Sequence, residues 1–367
     1  MKKILLGVCS IGNGHVNRQR LIINHLLNYD VQIVLAVTDN MHAYFKDLFP
    51  ELAIVSINVP WIYCDNNGIN FIKTKERYEN EGEDQFNRFL MFSIDVQNLF
   101  DGCNPDLVMT DYEPNVAQFA YATNKPLICL DQHSKFLILP QEMINEFSIN
   151  IEISRLLYFF PRADKRYVSS FFNIESSNMY NIEVLPPIVK NIKRASLIDI
   201  KKVVVYFSPY ATNPQTYEKI LALIKNYKDY EFHIYTELEF PDYKSYANLM
   251  FKKIGDAFNN DLYDCSFIIS SAGHQLISEA INLNIPLYLF PLNTYDQNYC
   301  CYIVDKHGLG RRIVNCDQKE FDEFIANIDK YRCNMNEYKK KNWVGNWDEI
   351  LFGKLEKDFG LKKSNRR

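Results

Sequence analysis

The sequence predicts an α/β protein that consists of two Rossmann-like domains, each built on a parallel sheet. Short apolar runs alternate with helical patterns along most of the 367 residues, and strands that alternate with helices form parallel sheets. The alternation stops at Leu185-Pro186-Pro187-Ile188, where adjacent prolines can continue neither a helix nor a central strand, and then starts again. A chain of this length also exceeds one ordinary core. We therefore expect domains at 1–187 and 188–345.

In the first domain, each predicted strand is an apolar run next to a helical pattern. These strands are residues 3–9, 31–37, 53–59, 107–110 and 127–130. The turn 10–15 follows the first strand and leads into a predicted helix that ends at Leu27. The polar segment 64–87 lacks clear periodicity and is predicted to be a long surface loop with a helix after it.

In the second domain, the predicted strands are residues 202–207, 231–235, 267–270 and 287–290, with a helix at 216–227. The segment 346–359 is amphipathic and is expected to form a helix that packs back on the first domain. The basic end, 362–367, is expected to be frayed.

Composition excludes several classes of function. The formal net charge of −4 gives no basis for nucleic acid as the partner. No apolar stretch approaches the roughly 20 residues of a membrane span, and the N-terminus does not resemble a signal peptide. Nine cysteines without a CxxC pair disfavour a disulfide framework and a zinc site. A reduced, cytoplasmic setting fits these observations.

The most informative segment is the turn after the apolar run 267–269, where small residues precede a helical pattern. Backbone N–H groups at such a helix start bind anions, and phosphate in particular. A glycine there lets a ligand approach the backbone closely. The predicted phosphate-binding residues are Ser271, Ala272, Gly273 and His274. For the His274 side chain, a hydrogen bond to phosphate and packing within the helix are both open.

Three polar residues downstream of this turn are candidates for contacts with sugars. Glu279 lies under two helical turns past Gly273, so its carboxylate can accept both hydroxyls of a ribose. Asp296 and Gln297 follow the next predicted strand and are placed against a second polyol. A solvent-facing Glu279 and a loop-capping pair at 296–297 are the alternatives. Phosphate, ribose and polyol within one βαβ unit indicate a sugar nucleotide.

The turn after the first strand places His15 and Gly14 at the edge where open α/β sheets bind ligands. Its glycines do not have the GxGxxG spacing, so a dinucleotide site is disfavoured. His15 is a candidate general base because imidazole titrates near neutrality. Asp111, at the end of the strand 107–110, is the candidate carboxylate that orients it. Helix capping is the alternative for both residues.

A second polar cluster follows the strand 127–130. Asp131 and His133 reach the same sheet edge, so either residue is a candidate to replace Asp111 or His15 in the chemistry. Hydrogen bonding within the loop is the equal alternative.

These motifs resemble those of GT-B-fold glycosyltransferases, in particular the lipopolysaccharide N-acetylglucosaminyltransferase-like family, relatives of the peptidoglycan lipid-linked N-acetylglucosaminyltransferase. The resemblance is carried by Gly-x-Gly-His-x-x-Arg at 12–18, by Ser-Ala-Gly-His-x-x-x-x-Glu-Ala at 271–280 and by Asp-Gln at 296–297. It implies two Rossmann-like domains that face a central cleft. It also implies a nucleotide-sugar donor, most simply a UDP-sugar, bound by the second domain.

Residue by residue, the resemblance implies roles that agree with those argued above. The turn at 271–274 would hold the diphosphate, Glu279 the ribose, and Asp296 with Gln297 the donor sugar. The nucleobase would bind main-chain groups in the segment that ends at Ile254. His15 would be the base and Asp111 its partner. Arg18 is a further candidate, either for a phosphate contact or as a solvated helix residue.

The implied reaction is a single displacement with inversion, without a metal or other cofactor, because no Asp-x-Asp lies in a suitable position. Helix-dipole and backbone donors at 271–274 would stabilise the leaving group. A non-hydrolysing UDP-sugar 2-epimerase and a non-catalytic nucleotide-sugar-binding accessory protein are the competing interpretations.

The acceptor, a glycan, glycolipid or small molecule, would bind the first domain. The segment 136–161 is strongly apolar and precedes Arg162, Lys165 and Arg166. It is interpreted either as a patch in peripheral contact with the inner face of a membrane or as a core helix with a solvated basic end.

Overall fold

The computed structural model describes residues 1–10, 12–58, 62–65, 68–81, 98, 100, 102–140, 143–144, 146–192, 201–208 and 214–364. They form two compact units. The first contains Met1–Ile188 and Gly345–Arg367, and the second contains Val189–Val344. Ile11 of the first turn, much of the predicted loop and helix around 82–99, and the end of the basic tail lie outside the described residues.

The first unit is built on a parallel sheet with two short antiparallel pairs beside it. Its strands are β1 (Lys2–Val8), β2 (Val31–Thr38), β3 (Ala53–Ile57), β4 (Cys64–Asp65), β5 (Gly68–Ile69), β6 (Leu107–Asp111), β7 (Leu127–Asp131), β8 (Met143–Ile144), β9 (Phe147–Ser148), β10 (Lys165–Ser169) and β11 (Ile182–Leu185). The main sheet has the order β11-β10-β7-β6-β1-β2-β3. Ile4, Leu5 and Leu6 of β1 are fully buried, as expected for a parallel sheet covered on both faces.

Helices connect these strands. They are α1 (Asn13–Leu26), α2 (Asp39–Leu48), α3 (Phe71–Glu81), α4 (Pro114–Thr123) and α5 (Asn150–Phe159). Helix α4 packs closely on β1 because Gly7 has no side chain: a Cβ there would lie 2.5 Å from Cγ2 of Val116. The helix ends at Asn124, whose left-handed backbone (φ 52°) closes the last turn.

The second unit repeats this plan. Its strands are β12 (Lys202–Tyr206), β13 (Glu231–Tyr235), β14 (Leu249–Lys252), β15 (Ile268–Ser270), β16 (Leu287–Leu289) and β17 (Gly310–Arg312). They form a parallel sheet in the order β14-β13-β12-β15-β16-β17. Its helices are α6 (Pro214–Ile224), α7 (Asp256–Asp264), α8 (His274–Leu283), α9 (Tyr295–Lys306), α10 (Gln318–Ala326) and α11 (Ile328–Asn342). The predicted α/β class with parallel sheets is confirmed.

The C-terminal helix, α12 (Trp347–Phe359), belongs to the first unit. Leu351, Phe352 and Leu355 lie in the same apolar core as β1 and β2. The Tyr29 hydroxyl donates to Oε1 of Glu356 over 2.7 Å, which fixes the helix against the loop before β2.

Several observed elements were not predicted from the sequence, and for three of them the reason is clear. Strands β10 and β14 were not predicted, because charged residues at their ends interrupt the apolar pattern. Helix α3 occupies part of the segment predicted to be a loop. Its helical periodicity is hard to recognise in the sequence because the helix is short and contains several charged residues, among them Lys73, Lys75 and Glu79.

The described residues of the apolar segment 136–161 are largely core, and the predicted solvated basic end is wrong for Arg166. Phe136, Leu156 and Phe160 are almost fully buried, whereas Leu157 and Tyr158 are exposed. Lys165 and Arg166 instead belong to β10. Lys165 pairs with Glu183 at 2.9 Å, and Arg166 is buried and donates to the Phe160 carbonyl over 2.6 Å. Buried guanidinium groups need such partners, so this one cannot attract a ligand from solvent.

Among the described residues, no helix is both long enough and apolar enough to cross a membrane.

Candidate active site

His15 and Asp111 lie in contact at the carboxyl end of the first sheet. Asp111 ends β6 and pairs with Val8 at the end of β1, and His15 lies in the first turn of α1, which follows β1. His15 Nδ1 is 2.8 Å from Oδ1 of Asp111. Because an ionised carboxylate can only accept, the Nδ1–H donates, and the lone pair is left on Nε2. A general base requires this arrangement.

The Asp111 carboxylate is shared with two further side chains of α1. Arg18 donates from Nε to Oδ2 over 2.9 Å and from Nη2 to Oδ1 over 2.6 Å, and Gln19 donates from Nε2 to Oδ2 over 2.8 Å. Burial alone would raise the pKa of Asp111, but the charges of Arg18 and His15 outweigh it and hold that pKa well below its usual range. The site therefore contains a permanent carboxylate.

Of the two predicted alternatives for Arg18, the solvated helix residue is wrong, and the phosphate contact stays a prediction. Its side chain is fully buried, so it is not a solvated helix residue. Nε and Nη2 of its guanidinium donate to Asp111, so these two groups are already engaged. A sequence spacing of three residues places His15 and Arg18 on one helix face, but only the fold brings the carboxylate between them.

Helix capping, the alternative role for Asp111, belongs to its neighbour Glu113. The Glu113 carboxylate accepts from the backbone N–H groups of Asn115 and Val116 at the start of α4. Burial raises the pKa of Glu113 to about 7. Tyr112, between the two acids, has a left-handed backbone (φ 55°), which is rare for an aromatic residue and typical of functional turns.

His133 extends the site by ring stacking. Its imidazole lies parallel to that of His15, with centroids 5.5 Å apart, and Tyr112 stacks on it at 4.2 Å. Burial and the nearby cationic groups lower the pKa of His133 well below its usual value, so the ring is neutral. Asp131 accepts hydrogen bonds from the backbone N–H and the hydroxyl of Ser134, as expected if it hydrogen-bonds within its own loop.

In the second unit, β15 ends at Ser270 and α8 begins after Gly273. Ser270, Ser271 and Ala272 are buried, whereas Gly273 is half-exposed. A Cβ on Gly273 would meet no described atom within 4 Å, so there is open space in front of this backbone. No side chain caps the start of α8 among the described residues. A phosphate can therefore approach the main chain here.

The two other candidates on α8 are placed differently. His274 is only 3% exposed, which corresponds to the packing alternative for its ring. Glu279 is half-buried, and its Oε1 accepts from Nε2 of Gln275 over 3.0 Å.

Asp296 and Gln297 lie in the first turn of α9, after β16. Both side chains are half-buried. The Gln297 amide oxygen accepts from the Leu292 backbone N–H over 3.0 Å, so it closes the preceding loop as the capping alternative requires. Its NH2 group makes no hydrogen bond among the described residues, which leaves a donor for a ligand.

Ile254 lies half-buried in the loop between β14 and α7, and sequence reasoning missed the cluster that holds this loop. Asp261 of α7 accepts from Tyr235 over 2.6 Å and from Lys252 over 2.7 Å, and it contacts His233 at 2.5 Å. Burial opposes ionisation of Asp261, but these donors together hold its pKa well below the usual range. Lys202 of β12 also donates to Asp261 over 2.9 Å, so the cluster joins β12, β13, β14 and α7. No local sequence signal could have revealed it, since its members lie on four elements.

Groups of three or more His, Cys, Asp or Glu side chains that could hold a metal ion do not occur among the described residues.

The glycosyl transferase family 1 model matches residues 2–329, most of the chain. The chain belongs to glycosyl transferase family 1. This agrees with the resemblance drawn from the turns at 12–18 and 271–280 at the level of glycosyltransferases. No curated protein matches the chain in sequence.

Solved structures share the fold at low sequence identity. Arabidopsis thaliana UGT89C1 complexed with UDP has a TM-score of 0.68 and 15% identity, over 98% of this chain and 99% of that one. Phytolacca americana UGT2, complexed with UDP-2fluoro-glucose and pterostilbene, has a TM-score of 0.65 and 11% identity, over 98% and 100%. The calicheamicin glycosyltransferase CalG4 has a TM-score of 0.66 and 13% identity, over 98% of each chain. This family 1 chain therefore has the GT-B fold of glycosyltransferases.

Proposed function

We propose that this family 1 protein is an inverting, metal-independent glycosyltransferase that uses a UDP-sugar donor. The observation that carries the proposal is the contact between His15 and the permanently ionised Asp111. A buried carboxylate that orients a histidine serves proton abstraction, which a nucleotide-sugar-binding accessory protein does not need.

In the proposed reaction, Nε2 of His15 takes the proton of an acceptor hydroxyl as its oxygen attacks the anomeric carbon of the donor. The bond from that carbon to the diphosphate oxygen breaks, and UDP leaves with the electron pair. One displacement on the face opposite the leaving group inverts the anomeric configuration. Asp111 stabilises the imidazolium that forms.

Donor binding is assigned to the second unit. The main chain at Gly273 would bind the diphosphate. The N-terminus of α8 is the positive end of the helix dipole, and the space in front of Gly273 is open. Glu279 would accept the ribose hydroxyls, Asp296 and Gln297 would contact the sugar, and the loop at Ile254 would bind the uracil. UDP and a UDP-sugar analogue in the two plant structures support the choice of uridine.

The acceptor is proposed to be a hydroxyl of a glycan, glycolipid or small molecule. Pterostilbene in the Phytolacca structure supports a small molecule. A lipid-linked acceptor, as in the N-acetylglucosaminyltransferase-like subgroup, would bring the first unit to the inner face of a membrane. Its exposed apolar side chains, Phe71, Ile72, Leu157 and Tyr158, would then make the contact.

Isothermal titration of the protein with UDP, GDP and TDP, each with and without Mg²⁺, tests the donor assignment. We expect UDP to bind selectively, with the same affinity when Mg²⁺ is absent. If none of the three binds, the phosphate turn has been misassigned and the proposal fails. Binding that needs Mg²⁺ would refute the metal-independent mechanism.

A further inference from the structure

We propose that Arg18 is a positioning residue that neutralises Asp111 and opposes the positive charge that His15 would gain as the general base. This inference rests on the proposed function, in which His15 is the general base. It adds a third member to the His15–Asp111 pair, on the side away from the Nε2 atom that would face the acceptor.

The geometry of the trio fixes this role. Both side chains of the Arg18–Asp111 pair are 0% exposed, and the guanidinium binds both carboxylate oxygens. A buried bidentate pair of this kind keeps its charges in place. Arg18 Nη2 lies 2.6 Å from Oδ1 of Asp111 and 3.1 Å from Nδ1 of His15, and the same Oδ1 also contacts His15 Nδ1.

The charge count shows the consequence. The trio is neutral as a whole while the His15 ring is neutral, and it becomes a net cation when Nε2 takes up a proton. Without Arg18 the same step would convert a net anion into a neutral pair. Since like charges at such distances repel strongly in a buried site, Arg18 opposes the imidazolium that Asp111 favours.

The other titratable and charged groups in this part of the site make no polar contact with the His15 side chain among the described residues. They are Tyr112, Asp131, His133 and Lys135. His133 is neutral because its pKa is lowered, Tyr112 is neutral because burial raises its pKa, and Asp131 is bound to Ser134. Lys135 Nζ donates to the Gln132 carbonyl over 2.8 Å. Among the described residues, only Asp111 and Arg18 make polar contacts with the His15 side chain.

The test is an NMR titration of the full chain labelled with ¹⁵N-histidine. The chain has seven histidines, and the His15 signals are assigned from their loss in His15→Gln. The pH at the midpoint of the His15 titration is compared in the wild type, Arg18→Gln, Asp111→Asn and the double variant. Arg20→Gln is the matched control, because Arg20 lies on the same helix and donates to Tyr44 instead.

We expect the midpoint to rise by about 1–2 pH units in Arg18→Gln and to fall by a similar amount in Asp111→Asn. The double variant should return to within about half a unit of the wild type, since it removes one charge of each sign. Arg20→Gln should leave the midpoint unchanged.

Two results would overturn the inference: a midpoint in folded Arg18→Gln that equals the wild type, or a double variant that titrates like Asp111→Asn. The comparison of the double variant with Asp111→Asn tests the inference even if Arg18→Gln alone does not fold. The double variant is expected to fold because it retains no unpaired buried charge. The titration uses no donor. Failure of UDP to bind would therefore overturn the proposed function only, and an unchanged midpoint with UDP binding intact would overturn only the role of Arg18.

Discussion

The candidate sites of the two units are built in opposite ways. The site in the first unit joins side chains that are far apart in sequence: His15 and Arg18 come from the first helix, and Asp111 comes from a strand about a hundred residues later. The candidate donor residues of the second unit follow one another closely, from the turn at Gly273 to Gln297. The first site presents buried charge, and the second presents open backbone.

This difference teaches which kind of substitution should disturb which function. Changing a charged side chain in the first unit removes a partner from a buried network, so chemistry or stability should be lost. Changing the turn of the second unit alters space and hydrogen bonds offered to a ligand, so affinity should be lost while the fold is retained. Five substitutions or conditions sharpen this contrast.

The largest effect is expected for His15→Gln. Turnover should fall by roughly 10²–10⁴-fold because the general base is lost. The affinity for UDP, measured by isothermal titration, should stay within about twofold, since His15 belongs to the first unit. His42→Gln on α2 is the control and should retain turnover. A large loss of UDP affinity in His15→Gln would show that the residue binds the donor instead.

Asp111→Asn should destabilise the protein by about 3–5 kcal/mol, because it leaves the buried guanidinium of Arg18 without a counter-charge. The free energy of unfolding in urea provides the measurement. Asp47→Asn, at an exposed position of α2, should change it by less than about 0.5 kcal/mol. A small loss in Asp111→Asn would mean that the network relaxes without cost.

The same carboxylate predicts how stability depends on pH. The pKa of Asp111 is depressed in the folded state, so its ionised form stabilises the fold fully above the ordinary pKa near 4. Below that pH the contribution is lost, at about 1.4 kcal/mol per pH unit. The stability difference between wild type and Asp111→Asn should therefore shrink as the pH falls from 5 to 3. A constant difference over that range would contradict the depressed pKa.

Gly273→Ala tests whether the open space at the turn belongs to a ligand. The added Cβ meets no described atom within 4 Å and the backbone φ of −69° suits alanine, so stability should be unchanged. UDP affinity should fall by about 2 kcal/mol if the diphosphate occupies that space. Gly353→Ala in α12, also next to open space, is the control. Equal UDP affinity in both variants would place the phosphate elsewhere.

The smallest effect is expected for Glu279→Ala. Loss of one hydrogen-bonding carboxylate should weaken UDP binding by about 1.5 kcal/mol, roughly tenfold. Stability should hardly change because the side chain is half-buried. Glu337→Ala, an exposed glutamate of the same unit, should leave UDP binding unchanged. Unaltered affinity in Glu279→Ala would refute the ribose contact.

Much of the fold could be predicted because strands such as β1 and β15 are continuous apolar runs next to helical patterns. Strands β10 and β14 could not, because Lys165, Arg166 and Lys252 resemble surface residues in the sequence. In the structure, Arg166 is buried and Lys165 and Lys252 are paired with acids on other elements. The periodicity of a sequence shows which residues are apolar, but it does not show which charged side chains will be paired with opposite charges in the fold.

The sequence by itself determined the parallel α/β plan, the glycine-bearing turn before α8 and the candidate pairing of His15 with Asp111. These follow from local pattern and from the rule that parallel strands end at one edge. Only the tertiary structure decided that Arg18 binds Asp111, that His133 stacks on His15 and that Asp261 joins four elements. The physical reason is that a buried charged side chain is held by partners that are distant in sequence. Which partners come within contact distance depends on how the helices and strands pack.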